Sequence, residues 1–117
     1  MKRLIAASLM FLAGTAWAGK ADVVNATATK SGESYRFSAT VEHADEGWEH
    51  YADAWRVVTA EGEVLGTRVL HHPHVNEQPF TRSLSGVMIP DDITEVYVEA
   101  HDSVHGWGGK QFKVALD

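Results

Sequence analysis

Cysteine is absent from this 117-residue chain, which removes several kinds of chemistry at once. Disulfides, thiolate metal sites and cysteine nucleophiles are excluded, as is lipid attachment through an N-terminal cysteine. An exported domain without disulfides relies on its own core, which suits a bacterial periplasm better than a small disulfide-stapled scaffold. Methionine is nearly as scarce. Past the first ten residues only Met88 remains, so a soft, methionine-rich Cu(I) site is not expected. Positive charge is short as well. Without Lys2 and Arg3, eight basic residues face sixteen acidic ones, a net charge of −8 with histidine neutral. Such a surface repels phosphate backbones and anionic lipid, so nucleic acid is not an expected partner. No apolar run is long enough to span a bilayer as a permanent helix.

The one apolar run lies at the start. Lys2 and Arg3 precede a run over residues 4–12 broken only by Ser8, and Ala16-Trp17-Ala18 supplies the small-x-small pattern of a signal peptidase site. The reading is a signal peptide over residues 1–18, cleaved after Ala18, and a single domain over residues 19–117. The protein is expected to be periplasmic or secreted, and monomeric.

From Ala21 onward apolar residues recur at every second position, with turn residues about every ten. The clearest strand covers residues 34–43, with Tyr35, Phe37, Ala39 and Val41 on one face. Other strands are expected over residues 22–29, 54–59, 64–71, 80–89, 93–101 and 111–116. Gly66 marks a bulge where alternation slips. Residues 44–53 form a polar and aromatic loop, and residues 102–109 a glycine-rich one. Arg82, between Phe80 and Leu84, is expected to face inward and to need Glu77 or Glu99 as partner. Together these features predict an all-β domain: a seven-stranded antiparallel β-sandwich. The pattern resembles immunoglobulin-like and fibronectin type III sandwiches, including a closing V-x-V-x-A-x-D strand (residues 96–102) followed by a glycine loop. It departs from them at Thr94, where a fibronectin-like domain often has tyrosine, and in lacking a cysteine pair. The stretch HPHVNEQPFTRSLSGV also looks like one shared by small exported bacterial proteins of unassigned function.

The densest chemistry lies in HHPHVNEQPF, residues 71–80. In an antiparallel sandwich alternate connections lie at opposite poles, so the loops around Trp48, His74 and His105 share one end. All seven histidines fall on or beside these loops. Positions two apart in an extended segment face the same side, so His72 and His74 can converge on one ion, with His101 and His105 as a second pair. His50, Glu77 and Asp102 are supporting ligands, and such a set suits Zn(II), Cu(II) or Ni(II). The other reading of this pole is a metal-free surface for an extracytoplasmic glycan or protein, with Trp48, Tyr51 and Trp107 as an aromatic platform. Trp55, on a strand face with Val57, belongs to the core. Catalysis is not expected. Asp102, Ser103 and His105 have the residue types of a hydrolase triad but adjacency is not its geometry, and no nucleophile elbow or dinucleotide fingerprint occurs.

Overall fold

The computed structural model describes residues 19–116, so the expected signal peptide lies outside the described residues. Seven strands follow one another: β1 (Asp22–Ser31), β2 (Ser34–Glu42), β3 (Ala52–Val58), β4 (Val64–Val69), β5 (Phe80–Val87), β6 (Glu95–Asp102) and β7 (Gly106–Ala115). They form two antiparallel sheets, ordered β1-β2-β5 and β4-β3-β6-β7.

Strict alternation drives this arrangement. On β2, Tyr35, Phe37, Ala39 and Val41 turn inward; on β6, Val96, Val98 and Ala100 do the same. With Trp55, Phe80 and Val57 they make one core between the sheets. Full burial of each large apolar side chain contributes about 1.5–3 kcal/mol. Trp55 is fully buried, as its strand position implies.

The bulge expected at Gly66 is present as a register shift between Val57 and Val58, opposite Gly66 and Val64. The glycine also brings the sheets together, since a Cβ there would sit 3.2 Å from Leu84 and 3.3 Å from Val87. Two expectations need correction. The glycine-rich stretch is mostly strand: β7 starts at Gly106, and only residues 103–105 turn. Gly106, Gly108 and Gly109 adopt φ of 82°, 152° and 71°, letting a bulged strand stay paired to β6 while Lys20 and Ala21 pass against it. Arg82 is not sealed in the core. It pairs with inward-facing Ala39 across the sheet, but β5 is an edge strand, so its head reaches solvent and bonds Glu77 at 3.2 Å.

Gly109 and Gly32 separate the two roles of a positive-φ glycine. A Cβ at Gly109 would overlap the Ala21 carbonyl oxygen, whereas one at Gly32 meets nothing within 4 Å. Urea denaturation is therefore expected to show a loss of about 1 kcal/mol for Gly32→Ala, from backbone strain alone. For Gly109→Ala the loss is about 3 kcal/mol, because strain and overlap add.

Candidate metal centre

Strand alternation does not stop where the strands stop. His43 and Asp45 continue the inward positions of Tyr35 to Val41, and Asp102 continues those of Val96 to Ala100. All three end up buried between the sheets at one pole, and the Asp102 side chain is fully covered. A carboxylate there needs hydrogen-bond donors from every direction. Its Oδ1 accepts the backbone N–H groups of Val104 (2.6 Å) and His105 (2.9 Å) in the β6–β7 turn. Its Oδ2 faces three imidazole nitrogens: His43 Nε2 at 2.7 Å, His50 Nε2 at 2.9 Å and His105 Nδ1 at 3.1 Å.

A further set of carboxylates orients the imidazoles. His43 Nδ1 meets Asp45 Oδ1 at 2.6 Å, and His50 Nδ1 meets Glu46 Oε1 at 2.9 Å. Asp45 also accepts the backbone N–H groups of Ala52 (3.0 Å) and His74 (2.7 Å), tying the loops after β2 and β4 together. Tyr51 and Ser103 link the loop after β2 to the β6–β7 turn, through Ser103 N–H to Tyr51 carbonyl at 2.9 Å and Tyr51 N–H to Ser103 Oγ at 3.0 Å. The three connections thus meet at one end.

His43 and His50 each face carboxylates with both ring nitrogens, so each donates twice only when doubly protonated. Burial works against that charge, but in both residues the adjacent carboxylates outweigh it and the pKa is raised above 6.5. Burial likewise pushes Asp102 upward, yet its bonds from His105, Val104 and His50 hold it far below the usual carboxylate range. Asp45 is lowered too, its burial offset by His43 and the backbone donors. His74 behaves oppositely. Burial, Arg82 and His72 lower its pKa, and its Nε2 accepts from Arg82 Nη2 at 3.0 Å while its ring stacks on Phe80 at 3.9 Å.

Of the residues singled out from the sequence, His50, His105 and Asp102 come together, joined by His43. His43, His50 and Asp102 each offer a ligand atom, all within 4.8 Å of one another, a suitable donor set for a metal ion. His74 lies behind Asp45, committed to Arg82 and Phe80. His72 is exposed on its loop with its ring 4.9 Å from that of His74, as their spacing implies, and Glu77 is taken by Arg82. His101 lies on the outer face of the β4-β3-β6-β7 sheet, bonded to Asp53 at 2.5 Å and edge-on to Trp107. The aromatic platform is divided in the same way. Trp48 and Tyr51 pair at 5.6 Å, whereas Trp107 carries the Arg56 guanidinium 3.7 Å over its ring on that outer face. His43 was legible as an inward position one step past β2.

The chain resembles a protein of Halomicrobium mukohataei named "Putative lipoprotein", at 42% identity over 96 residues, 81% of this chain and 47% of that protein. The chain therefore spans about half the length of the curated relative it matches. No protein-family model and no solved structure matches it. Among the described residues no helix is long and apolar enough to cross a membrane.

The pKa directions fix the pH dependence of the metal-free protein. His43 and His50, raised in the fold, contribute stability that is complete below about pH 6.5 and lost as pH rises through their folded values. His74, lowered in the fold, contributes above about pH 6.5 and loses that as pH falls. Asp45 and Asp102 contribute above about pH 4 and lose it in acid. Denaturation midpoints in chelator are expected to peak near pH 6 to 6.5 and to fall on both sides. Asp102→Asn is expected to lose about 3–5 kcal/mol at that maximum, since it leaves charged imidazoles facing an amide.

Proposed function

We propose that this protein is an exported, monomeric binding domain that holds a divalent transition metal, Zn(II) or Cu(II), at His43, His50 and Asp102, with His105 completing the set. One observation carries the reading: a buried carboxylate oxygen is ringed by three imidazole nitrogens, two of whose outer nitrogens rest on carboxylates of their own. Metal-binding histidines characteristically donate their second N–H to such a group, which fixes the tautomer and raises the basicity of the ligating nitrogen. The lipoprotein name of the relative and the charged, apolar and small-residue order of residues 1–18 support export to the periplasm or beyond. The strand order supports an immunoglobulin or fibronectin type III-like sandwich. With its reactive groups committed to one another, the pole supports binding rather than catalysis.

The cation would take the place of the Nε2 protons of His43 and His50, leaving neutral imidazoles that still donate to Asp45 and Glu46. Binding is therefore a proton exchange. Calorimetry at pH 6 on the exported chain without a histidine tag, in buffers of different ionisation enthalpy, is expected to show release of about two protons per ion. The dissociation constant is expected at about 1 μM or tighter. His50→Ala and His105→Ala alter partly accessible residues and leave a folded protein by circular dichroism, with affinity lowered at least about tenfold; Glu46→Gln lowers it by about tenfold through the outer nitrogen alone. Absence of saturable heat, or heat unchanged in His50→Ala, overturns the reading.

A further inference from the structure

Beside the Asp102 cluster the loops after β2 and β4 flank a shallow, open groove of about 640 Å³, lined by Gly47, Trp48 and residues 72–77. This lies within the usual volume of small-ligand sites, about 300–1,000 Å³. Trp48 is 65% exposed, and the edge of Tyr51 against its ring holds it in place. Val75 is also exposed, so the groove presents an apolar surface beside the indole. Its polar groups are of both kinds. Glu77 lines one wall, and the Glu49 carboxylate lies 3.8 Å from where a side chain at Gly47 would begin. Asn76 and His72 are exposed, offering an amide and an imidazole. His74, only 6% exposed, accepts from Arg82 through Nε2 and keeps its Nδ1 buried behind the groove wall, so it shapes the groove and does not donate into it.

We propose that this groove is a subsite for a neutral saccharide. An indole face with flanking proline and valine receives the C–H face of a sugar ring, an apolar body with polar edges. The polar lining mixes an acceptor (Glu77) with groups that can donate (Asn76, His72). Hydroxyl groups both donate and accept and satisfy this mixture, whereas an ammonium group leaves the donors unpaired. An anionic ligand is disfavoured because no lysine or arginine lines the groove. The neighbouring Arg82 is committed to Glu77, His74 and the Thr81 carbonyl. The walls are already in place. Asp45 holds the His74 backbone, and the Gln78 side chain bridges the His74 carbonyl (3.0 Å) and the His43 N–H (3.0 Å). A preformed groove spends little binding energy on ordering loops. This inference stands apart from the metal reading, since no residue lining the groove belongs to the Asp102 cluster.

The test is titration of the isotope-labelled exported chain with cellotriose, maltotriose and chitotriose to about 20 mM, following amide and indole N–H resonances. At least one trisaccharide is expected to shift the Trp48 indole and the amides of residues 74–77 saturably, leaving Trp55 and Trp107 in place. Trp48→Ala abolishes the shifts, and Asn76→Ala weakens binding by about tenfold, the loss of one well-placed hydrogen bond. No shift with any of the three, shifts that persist in Trp48→Ala, or a response to trilysine in place of the sugars would each overturn the proposal.

Discussion

A carboxylate that cannot reach water governs this pole. Asp102 continues the core-facing side of β6, and its side chain is fully buried. An ionised group in that position is tolerable only when its lone pairs are filled and its charge is balanced. Two backbone N–H groups fill one oxygen, which shapes the β6–β7 turn, and three imidazoles crowd the other. Each imidazole comes from a particular place in the chain, so meeting the needs of one side chain brings the end of β2, the following loop and the last turn to one point. Asp45 repeats the device on a smaller scale and adds the loop after β4. Two buried carboxylates thus organise loops whose Trp48 and Val75 stay exposed and contribute little to the core.

This way of closing a sandwich is expensive. Removing charges from water is offset only by close pairing, and an apolar plug of equal volume is commonly as stable or more so. A domain with no disulfide gains nothing in stability by placing two carboxylates and a histidine where valines pack a few residues away. The arrangement makes physical sense as a site with fixed donors, in which the outer carboxylates set ring orientation before any ligand arrives. Rigidity of this kind is what a metal centre needs, and what groove walls hung from the same Asp45 need too.

Much of this was legible from periodicity. Alternation located six of the seven strands within two residues, began the seventh strand five residues late, and put Trp55 in the core, because each strand has one dry face. Antiparallel reversal indicated which loops would be neighbours. Which histidines converge was less accessible. HHPHVNEQPF is the densest histidine stretch, yet its members point to different tasks: His72 outward, His74 onto Phe80 and Arg82. The loop's conformation decides that, and spacing in sequence does not encode it. His43 and Asp102 were decidable in principle. Reading the parity of Tyr35 to Val41 and of Val96 to Ala100 one step past the apolar residues lands on both, and the obstacle is that parity places a side chain inward without saying which polar groups it will meet there. His101 shows the same rule in reverse: next to inward Ala100, it belongs to the outer face with Trp107.

The same hydrogen-bond geometry bears on what occupies the cluster. Filled by protons, it requires two imidazolium ions within bonding distance of one carboxylate oxygen, with their rings 4.8 Å apart. Their mutual repulsion is relieved only by the surrounding carboxylates, and it opposes the rise of the His50 pKa without reversing it. A single divalent cation held by His43, His50 and Asp102 would carry the same total charge, and each ring would keep the N–H it donates outward. Exchange of two protons for one ion leaves the net charge of the buried pole unchanged. Such an exchange would also replace a pair of neighbouring cations by neutral ligands, which is the condition under which metal binding becomes coupled to pH.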